Sequence, residues 1–244
     1  MKKHITFALL LIFSTGTISA QWWNSSEKIT GNKEVTKQTR SVSNYDRISV
    51  TGMMEVQLIA GKEGRIDLEA ESNLMEYIET EVNGGHLKIS VKKGYNVQPS
   101  RNYPIKLVVP FESLEALALT GSGHIRNTDV IKSRNFKVSV TGSGNMNLNL
   151  NTEVLNGSLT GSGDVKLTGR TTDLKCSVTG SGDFLAFDLK ADSVDANVTG
   201  SGDIQISVKN ELNARVSGSG DIYYMGNPEK QNFRTTGSGK ITKK

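Results

Sequence analysis

The sequence predicts an all-β protein, a single right-handed parallel β-helix (solenoid) with about nineteen to twenty residues per coil. The tetrapeptide Thr-Gly-Ser-Gly, once Ser-Gly-Ser-Gly, occurs seven times in the second half of the chain. The numbers of successive starting positions differ by 21, 19, 19, 20, 18 and 19, and a near-constant period of this length indicates a repeat architecture. The copies begin at Thr120, Thr141, Thr160, Thr179, Thr199, Ser217 and Thr236.

Apolar and polar residues alternate on both sides of each motif, which indicates strand–turn–strand. With the Thr counted as position 0, positions −3, −1, +5 and +7 are mostly apolar or small. Around Thr179 they are Cys176, Val178, Phe184 and Ala186. The two glycines of each motif permit a sharp corner, and the motifs contain 14 of the 25 glycines of the chain.

One corner in each period favours stacked coils over the other all-β repeats. A propeller blade needs about 40 residues, twice the period seen here, and hairpins need turns about 8–12 residues apart. The right-handed coil follows from the handedness of parallel crossovers. Position −3 holds small residues in the middle coils, which predicts a narrow interior there: Gly157, Cys176, Ala196 and Ala214.

An eighth, degenerate copy of the repeat begins at Thr51, with Met53 and Met54 in place of Ser-Gly. The stretch between Thr51 and Thr120 has room for about three more coils of the same period. Three alternating runs are candidate strands for them: Ile66/Leu68/Ala70, Leu87/Ile89/Val91 and Ile105/Leu107/Val109.

Two segments of this region interrupt the alternation. Residues 73–81 predict a short helix or an irregular loop. Residues 93–103 are polar, with Pro99 and Pro104 near their ends, and predict a projecting loop that serves as a contact surface.

The ends of the chain predict export. Residues 1–20 read as a signal peptide, with Lys2 and Lys3 before the apolar run 7–13 and Ala20 at the cut. Residues 21–41, which include Trp22 and Trp23, are polar and predict a linker or mobile arm. Residues 42–244 form the predicted β-helix domain. Its open ends need a cover, for which we expect the arm, the tail 241–244 or end-to-end dimerisation.

Charge and cysteine content exclude several function classes. The formal net charge is +4, and without Lys2 and Lys3 it is 27 − 25 = +2, so we expect no nucleic-acid partner. The run 7–13 is too short for a permanent anchor, and we expect no integral membrane segment after signal cleavage. Cys176, the single cysteine, falls at position −3 and predicts a buried structural thiol.

Position +4 carries the clearest polar pattern. Stacked carboxylates about 4.8 Å apart repel by roughly 0.9 kcal/mol in water, and a cation such as Ca²⁺ would relieve this. Four aspartates are therefore weak metal candidates, although His124 and Lys240 at the same position favour a turn role with local backbone acceptors. The four are Asp164, Asp183, Asp203 and Asp221.

The corner itself suggests two further features. The stacked threonines predict a ladder of hydroxyl groups that hydrogen-bond one another. The Gly-Ser-Gly amides could bind phosphate, but no helix follows them, so this signal is weak.

A polysaccharide-active enzyme is the main alternative class. It would need paired acid and base groups, yet His86 and His124, the mature histidines, lie in no recognisable cluster. Glu79 and Glu81 alternate on what reads as the solvated face of a strand. The candidates for sugar stacking are Tyr223, Tyr224 and Phe187, with Tyr224 in the inward register. We predict no catalytic residues and no cofactor.

Three features together resemble a known family: the run Tyr45–Gly52, the segment Asn73–Val82 and the repeated Thr-Gly-Ser-Gly-Asp. The chain is similar over residues 42–240 to the bacterial family "putative auto-transporter adhesin, head GIN domain", common in Bacteroidetes and of unknown function. The resemblance implies a right-handed parallel β-helix and an extracytoplasmic location. The chain departs from the family pattern at Met53-Met54 and at Lys240. Because Lys244 closely follows the last repeat, with no barrel after it, we do not expect self-transport.

The sequence thus predicts an exported, non-enzymatic interaction module at the surface or in the periplasm of a Gram-negative bacterium. Its expected partner is a surface glycan or an envelope protein. A cation-binding structural protein is the further alternative. These expectations rest on fold and export alone.

Overall fold

The computed structural model describes residues 26–244. The predicted signal peptide 1–20 and Trp22-Trp23 lie outside the described residues. The structure is 70% strand, and the described residues 26–244 include one 3-10 helix at Ser72–Tyr77. The strands are β1 (Glu27–Thr30), β2 (Val35–Ser41), β3 (Arg47–Gly52), β4 (Glu55–Ala60), β5 (Arg65–Glu71), β6 (Ile78–Asn83), β7 (His86–Val91), β8 (Tyr95–Gln98), β9 (Lys106–Phe111), β10 (Ala116–Gly121), β11 (His124–Asn127), β12 (Ile131–Gly142), β13 (Asn145–Gly161), β14 (Val165–Gly180), β15 (Phe184–Gly200), β16 (Ile204–Gly218), β17 (Ile222–Met225), β18 (Lys230–Gly237) and β19 (Ile241–Lys243).

The coils stack as a parallel β-solenoid of about seven turns, which confirms the predicted fold class. Every Thr-Gly corner pairs in register with the corner one coil away, from Thr120↔Thr141 to Ser217↔Thr236. The degenerate copy also stacks, since Thr51 pairs with Thr120. The eighth repeat predicted from the sequence is therefore confirmed.

The corners divide the stack into two parallel ladders. The pre-corner sheet contains β7, β3, β10, the C-terminal parts of β12–β16, and β18. The post-corner sheet contains β9, β4, β11, the N-terminal parts of β13–β16, then β17 and β19. Strands β13–β16 run from one corner to the next, so they must bend to close a coil. Register shifts near Gly169 and Lys190 mark this second bend.

The two positions of the corner require glycine for different reasons. Gly180 has φ +120°, a conformation that L side chains rarely adopt. Gly182 has no such φ, but a Cβ there would lie 2.0 Å from the carbonyl oxygen of Gly163 in the preceding coil. A side chain at either position would push neighbouring coils apart, which explains why the motif needs both glycines.

The predicted inward columns form the core. The residues at −3, −1, +5 and +7 are buried in the middle coils, including Cys176, Val178, Phe184 and Ala186. Position −3 is narrow because side chains from the facing sheet fill it. A Cβ on Gly157 would lie 2.6 Å from Cε2 of Phe184.

The N-terminal region differs from the expected stack of three further coils. β7 and β9 extend the two ladders by one parallel level. β6 then pairs antiparallel with β7, and β5 pairs antiparallel with β9. The alternating runs are strands as predicted, but antiparallel strands end the stack instead of continuing it. The short helix expected within 73–81 is present as the 3-10 helix, followed by β6.

The arm expected over residues 21–41 forms strands in its described part. β2 pairs antiparallel with β5 along its whole length, so this segment covers one end of the solenoid. β1 pairs with β8, which lies inside the segment 93–103. That segment was expected to project as a loop; it is instead held against the domain, with the Tyr95 ring 4.6 Å from that of Tyr77.

Candidate functional site

The row of residues at position +4 is a hydrogen-bonded ladder between coils. Each side-chain oxygen accepts a bond from the backbone N–H of the next residue in the row. Asp183 Oδ1 accepts from the Asp203 amide at 2.9 Å, and Asp203 Oδ1 accepts from the Asp221 amide at 2.8 Å. The same bond joins Asn145 to Asp164 at 2.8 Å, Asp164 to Asp183 at 3.2 Å and Asp221 to Lys240 at 2.7 Å.

This ladder assigns the aspartates a structural role. The prediction of a backbone acceptor was right in kind, but the accepted bond comes from the next coil and not from the same turn. It keeps consecutive coils joined where the chain leaves the corner. The second oxygen of Asp221 accepts a bond from the Tyr223 hydroxyl at 2.8 Å, and that bond raises the pKa of Tyr223.

Cation binding by this row stays a prediction. Within residues 26–244 the structure places no three His, Cys, Asp or Glu side chains in a metal-binding cluster. The weak candidates Asp164, Asp183, Asp203 and Asp221 each use one oxygen in the ladder.

The corner amides are already engaged. Ser181 and Gly182 both donate to the carbonyl oxygen of Gly161 in the preceding coil, at 2.8 and 3.0 Å. The same pattern recurs at the later corners, so these N–H groups are not free to hold a phosphate. The corner threonines are exposed and stacked in register, but no hydrogen bond joins their hydroxyls in the described part of the chain. The expected hydroxyl ladder is therefore absent at this position.

The residues weighed for catalysis are spread over the molecule. His86 begins β7 in the pre-corner sheet, whereas His124 begins β11 in the post-corner sheet. Glu79 and Glu81 lie on β6, opposite Ser90 and Lys88. The structure brings no pair of these acids and histidines together in one pocket among residues 26–244.

The remaining candidates are structural or only partly exposed. Cys176 is buried as predicted, and burial, with a smaller contribution from Asp195, raises the pKa of its thiol. Tyr224 is buried, as its inward register predicts. Tyr223 and Phe187 are half-buried on the coil surface.

A concave surface on the post-corner sheet is the best candidate binding site. Six strands, β9, β4, β11, β13, β14 and β15, form a groove of about 700 Å³. Arg126 Nη2 donates to Gln57 Oε1 at 3.3 Å, and Gln57 Nε2 donates to Thr128 at 2.9 Å, so side chains from two coils are held in place. Its outward side chains are Glu55, Gln57, Lys106, Val108, His124, Arg126, Asn145, Asn147, Asp164, Lys166 and Leu185.

This concave surface could not be read from the repeat. Lys106 and His124 come together through a chain of pairings, in which Lys106 pairs with Glu55 and Glu55 pairs with His124. The groove therefore depends on the register of β4, which follows the degenerate corner, and of β9, which follows no corner motif. The only signal in the sequence was the polar character of the outward positions.

Glu71 is a second feature that the sequence did not indicate. Its carboxylate is fully buried and accepts bonds from the Lys33 amide at 2.5 Å and the Ser100 amide at 2.7 Å. Burial alone would raise the pKa of Glu71, but the bonds from Ser100 and Lys33 outweigh it and lower the pKa. Glu71 thereby fastens the N-terminal segment and the segment 93–103 to the end of the solenoid.

No helix in residues 26–244 is long and apolar enough to cross a membrane. The fold and its surfaces define a parallel β-solenoid with stacked polar faces and a groove open to solvent. The chain belongs to the family described as "Putative auto-transporter adhesin, head GIN domain", whose model matches residues 44–228. The resemblance noted from the sequence is therefore confirmed.

Solved structures share this fold. A "putative adhesin" from Bacteroides fragilis has a TM-score of 0.82 at 23% identity, covering 88% of this chain and 100% of its own. A "putative lipid binding protein" from Parabacteroides distasonis has a TM-score of 0.74 at 28% identity, covering 89% and 100%. A "putative adhesin" from Parabacteroides merdae has a TM-score of 0.69 at 20% identity, covering 88% and 99%. No curated protein matches the chain.

Proposed function

We propose that this protein is an exported, non-enzymatic interaction module of a Gram-negative cell envelope that binds an extended glycan through its concave surface. The single observation that carries the proposal is the groove on the post-corner sheet. Six strands at about 4.8 Å spacing give it a length of about 24 Å, which suits an extended chain better than a small reactant.

The chemistry of the groove supports a polar ligand. Asn145, Asn147 and Gln57 offer amide donors and acceptors for hydroxyl groups. Lys106, Arg126 and Lys166 add positive charge, and Glu55 and Asp164 add negative charge. Amide and charged side chains at the regular spacing of stacked coils can hydrogen-bond a repeating polymer at several points.

The family supports a binding role, since its description and two of the solved structures carry the word adhesin. The Parabacteroides distasonis structure is described as lipid-binding, so a lipid is the competing occupant. The outward side chains here are mainly charged or amide groups, with Val108 and Leu185 the aliphatic exceptions, and this favours a glycan.

A glycan array probed with the mature protein tests this function. We expect binding to a defined subset of glycans. A double variant, Arg126→Ala with Asn147→Ala, should lose it, because both side chains are exposed in the groove. Lys137→Ala with Asn156→Ala, exposed on the pre-corner sheet, is the matched control and should bind as the parent does.

Three outcomes would overturn the proposal. The first is no binding to any glycan at high micromolar protein concentration. The second is equal loss in the groove variant and the control. The third is cleavage of a bound polysaccharide, detected as a change in product mass, which would make the protein an enzyme.

A further inference from the structure

A second depression lies at the bend on the far side of the coils from the Gly-Ser-Gly corner. Three exposed cations from successive coils line it: Arg170 on β14, Lys190 on β15 and Lys209 on β16. Its volume is about 690 Å³, within the range of about 300–1,000 Å³ typical of ligand sites. We call this surface the basic bend.

The strand register forces like charges together at the basic bend. Arg170 pairs with Lys190 across adjacent parallel strands. Strands in a sheet are about 4.8 Å apart, and two exposed like charges on neighbouring strands repel each other. Like charges directly opposite each other destabilise a sheet, so an arrangement of this kind calls for a counter-charge.

At two other places on the coil surface an arginine has such a counter-charge. Arg134 lies 2.9 Å from Glu153, and Arg215 lies 3.2 Å from Asp195, each one coil away. By contrast, neither Arg170 nor Lys190 nor Lys209 has a carboxylate within 4.0 Å in the described part of the chain.

The wall of the depression includes one acid and several neutral hydrogen-bonding groups. Asp192 lines it without pairing to the cations, which leaves an excess of two positive charges among the lining side chains. Ser207 and Asn227 offer a hydroxyl and an amide. Lys243 donates to Asn227 Oδ1 at 3.2 Å and brings a further cation to the rim.

Three neutral residues complete the lining: Ala191, Val208 and Gly226. Ala191 and Val208 are buried. Gly226 has φ +106°, and a Cβ there would lie 1.9 Å from the carbonyl oxygen of Val208, so adjacent coils approach closely at this point.

We propose that the basic bend binds the oxyanion groups, carboxylate or sulfate, of an acidic saccharide. Arg170 matches such groups because a guanidinium offers paired donors to two oxygens. The lysines on the following coils add charge along the solenoid axis, as a linear polyanion would require. Ser207 and Asn227 are placed to bond the neighbouring sugar hydroxyls. This site is separate from the groove, and either can fail without the other.

Isothermal titration calorimetry with the mature protein tests the proposal. The probes are a sulfated dextran oligomer, an oligogalacturonate, neutral dextran of equal length, inorganic phosphate, and phosphatidylcholine vesicles with and without phosphatidylglycerol. We expect the acidic oligosaccharides to bind, the neutral one not to bind, and the affinity to fall as salt rises, because the contacts are ionic and exposed.

Two double variants separate a built site from diffuse charge. Arg170→Gln with Lys190→Gln should weaken binding by at least about tenfold, since charge-assisted bonds are lost. Lys137→Gln with Lys175→Gln removes the same charge from exposed positions on the pre-corner sheet and should change affinity less than about twofold. Thermal melting confirms that each variant folds.

Each contrary result overturns the assignment. Equal weakening in both double variants would mean attraction to net charge alone. Binding to anionic vesicles without binding to saccharides would make the site a lipid-headgroup site. Binding of phosphate alone, or of nothing, would exclude an acidic saccharide as the ligand.

Discussion

The ring of Phe184 occupies the space that a side chain on Gly157 would need. The two residues belong to facing sheets, and a Cβ on Gly157 would lie 2.6 and 2.7 Å from two ring carbons. The smallest residue of the −3 column thus stands opposite the largest residue of the +5 column.

Gly157→Ala should therefore lower the free energy of unfolding by about 1–3 kcal/mol through overpacking. Adding Phe184→Leu should recover part of this loss, because the smaller side chain makes room. Urea denaturation measures the free energy of unfolding of both variants. Asn156→Ala, at the exposed position before Gly157, is the control. Strictly additive effects of the two substitutions would contradict the contact.

Val178→Asp should unfold the stack or lower its melting temperature sharply. Val178 is 1% exposed, and an unpaired carboxyl there would lose its hydration. Ser177→Asp, one residue earlier on the outward face, should fold normally. If the two variants melt alike, the inward register is wrong.

Asp183→Asn should leave stability close to that of the parent, whereas Asp183→Ala should lower it by about 0.5–1.5 kcal/mol, the net contribution of one part-buried hydrogen bond. The amide oxygen of Asn can accept the Asp203 N–H as the carboxylate does. Asn145 already accepts the equivalent bond, from the Asp164 N–H of the next coil. Thermal melting compares the three proteins.

The parent protein and the Asp183→Asn variant also test whether the aspartate row binds a cation. If the aspartates are ladder acceptors only, the melting temperature of the parent in millimolar Ca²⁺ should equal that in EDTA. A higher melting temperature in Ca²⁺ for the parent, but not for Asp183→Asn, would establish a cation site.

The N-terminal strands should loosen in acid. The pKa of Glu71 is lowered in the folded protein, so the carboxylate stabilises the fold fully above its ordinary value of about 4.5. This stabilisation is lost as pH falls from that value through the folded pKa. Hydrogen exchange of residues 27–41 measures it. Glu71→Gln should exchange faster at neutral pH and change less with acid; identical profiles would contradict the role.

Cys176 should resist thiol reagents in the folded protein. Its thiol is buried, and burial raises its pKa, so almost no thiolate forms at neutral pH. Reaction with a disulfide reagent should be slow in buffer and rapid in denaturant. Fast labelling of the native protein would show that the coil opens at this position.

The sequence was sufficient to predict the regular coils and their register, because the corner motif marks the same point in each of them. The degenerate corner at Thr51 could be recognised because its flanking residues match the columns, but we expected about three coils between it and Thr120, whereas the structure pairs the two directly. That stretch lacks a corner, and alternation looks the same in parallel and antiparallel strands. Nothing in the pattern indicated that β5 and β6 run antiparallel to their neighbours and end the stack.

The polar strand β2 shows a second limit. Val35–Ser41 has no apolar face, and nearly all of it is exposed, so composition favoured a mobile arm. It is held by pairing with β5 and by Arg40, which donates to the carbonyl oxygens of Met75 and Ile78. Such distant backbone partners leave no signature in a single sequence.

The two proposed binding surfaces illustrate the same limit. The aspartate row was visible because it repeats, whereas Arg170, Lys190 and Lys209 do not share one repeat position. Register shifts at the bend bring them together.

The ladder at position +4 makes the interior coils interchangeable units. In each coil the side-chain oxygen at this position accepts a bond from the next coil, and the backbone N–H donates one to the preceding coil. A duplicated coil would therefore have a partner for both groups. The molecule can therefore lengthen or shorten in steps of one repeat while its N-terminal end stays unchanged. Gene duplication within such a chain would alter the reach of its surfaces without a new fold.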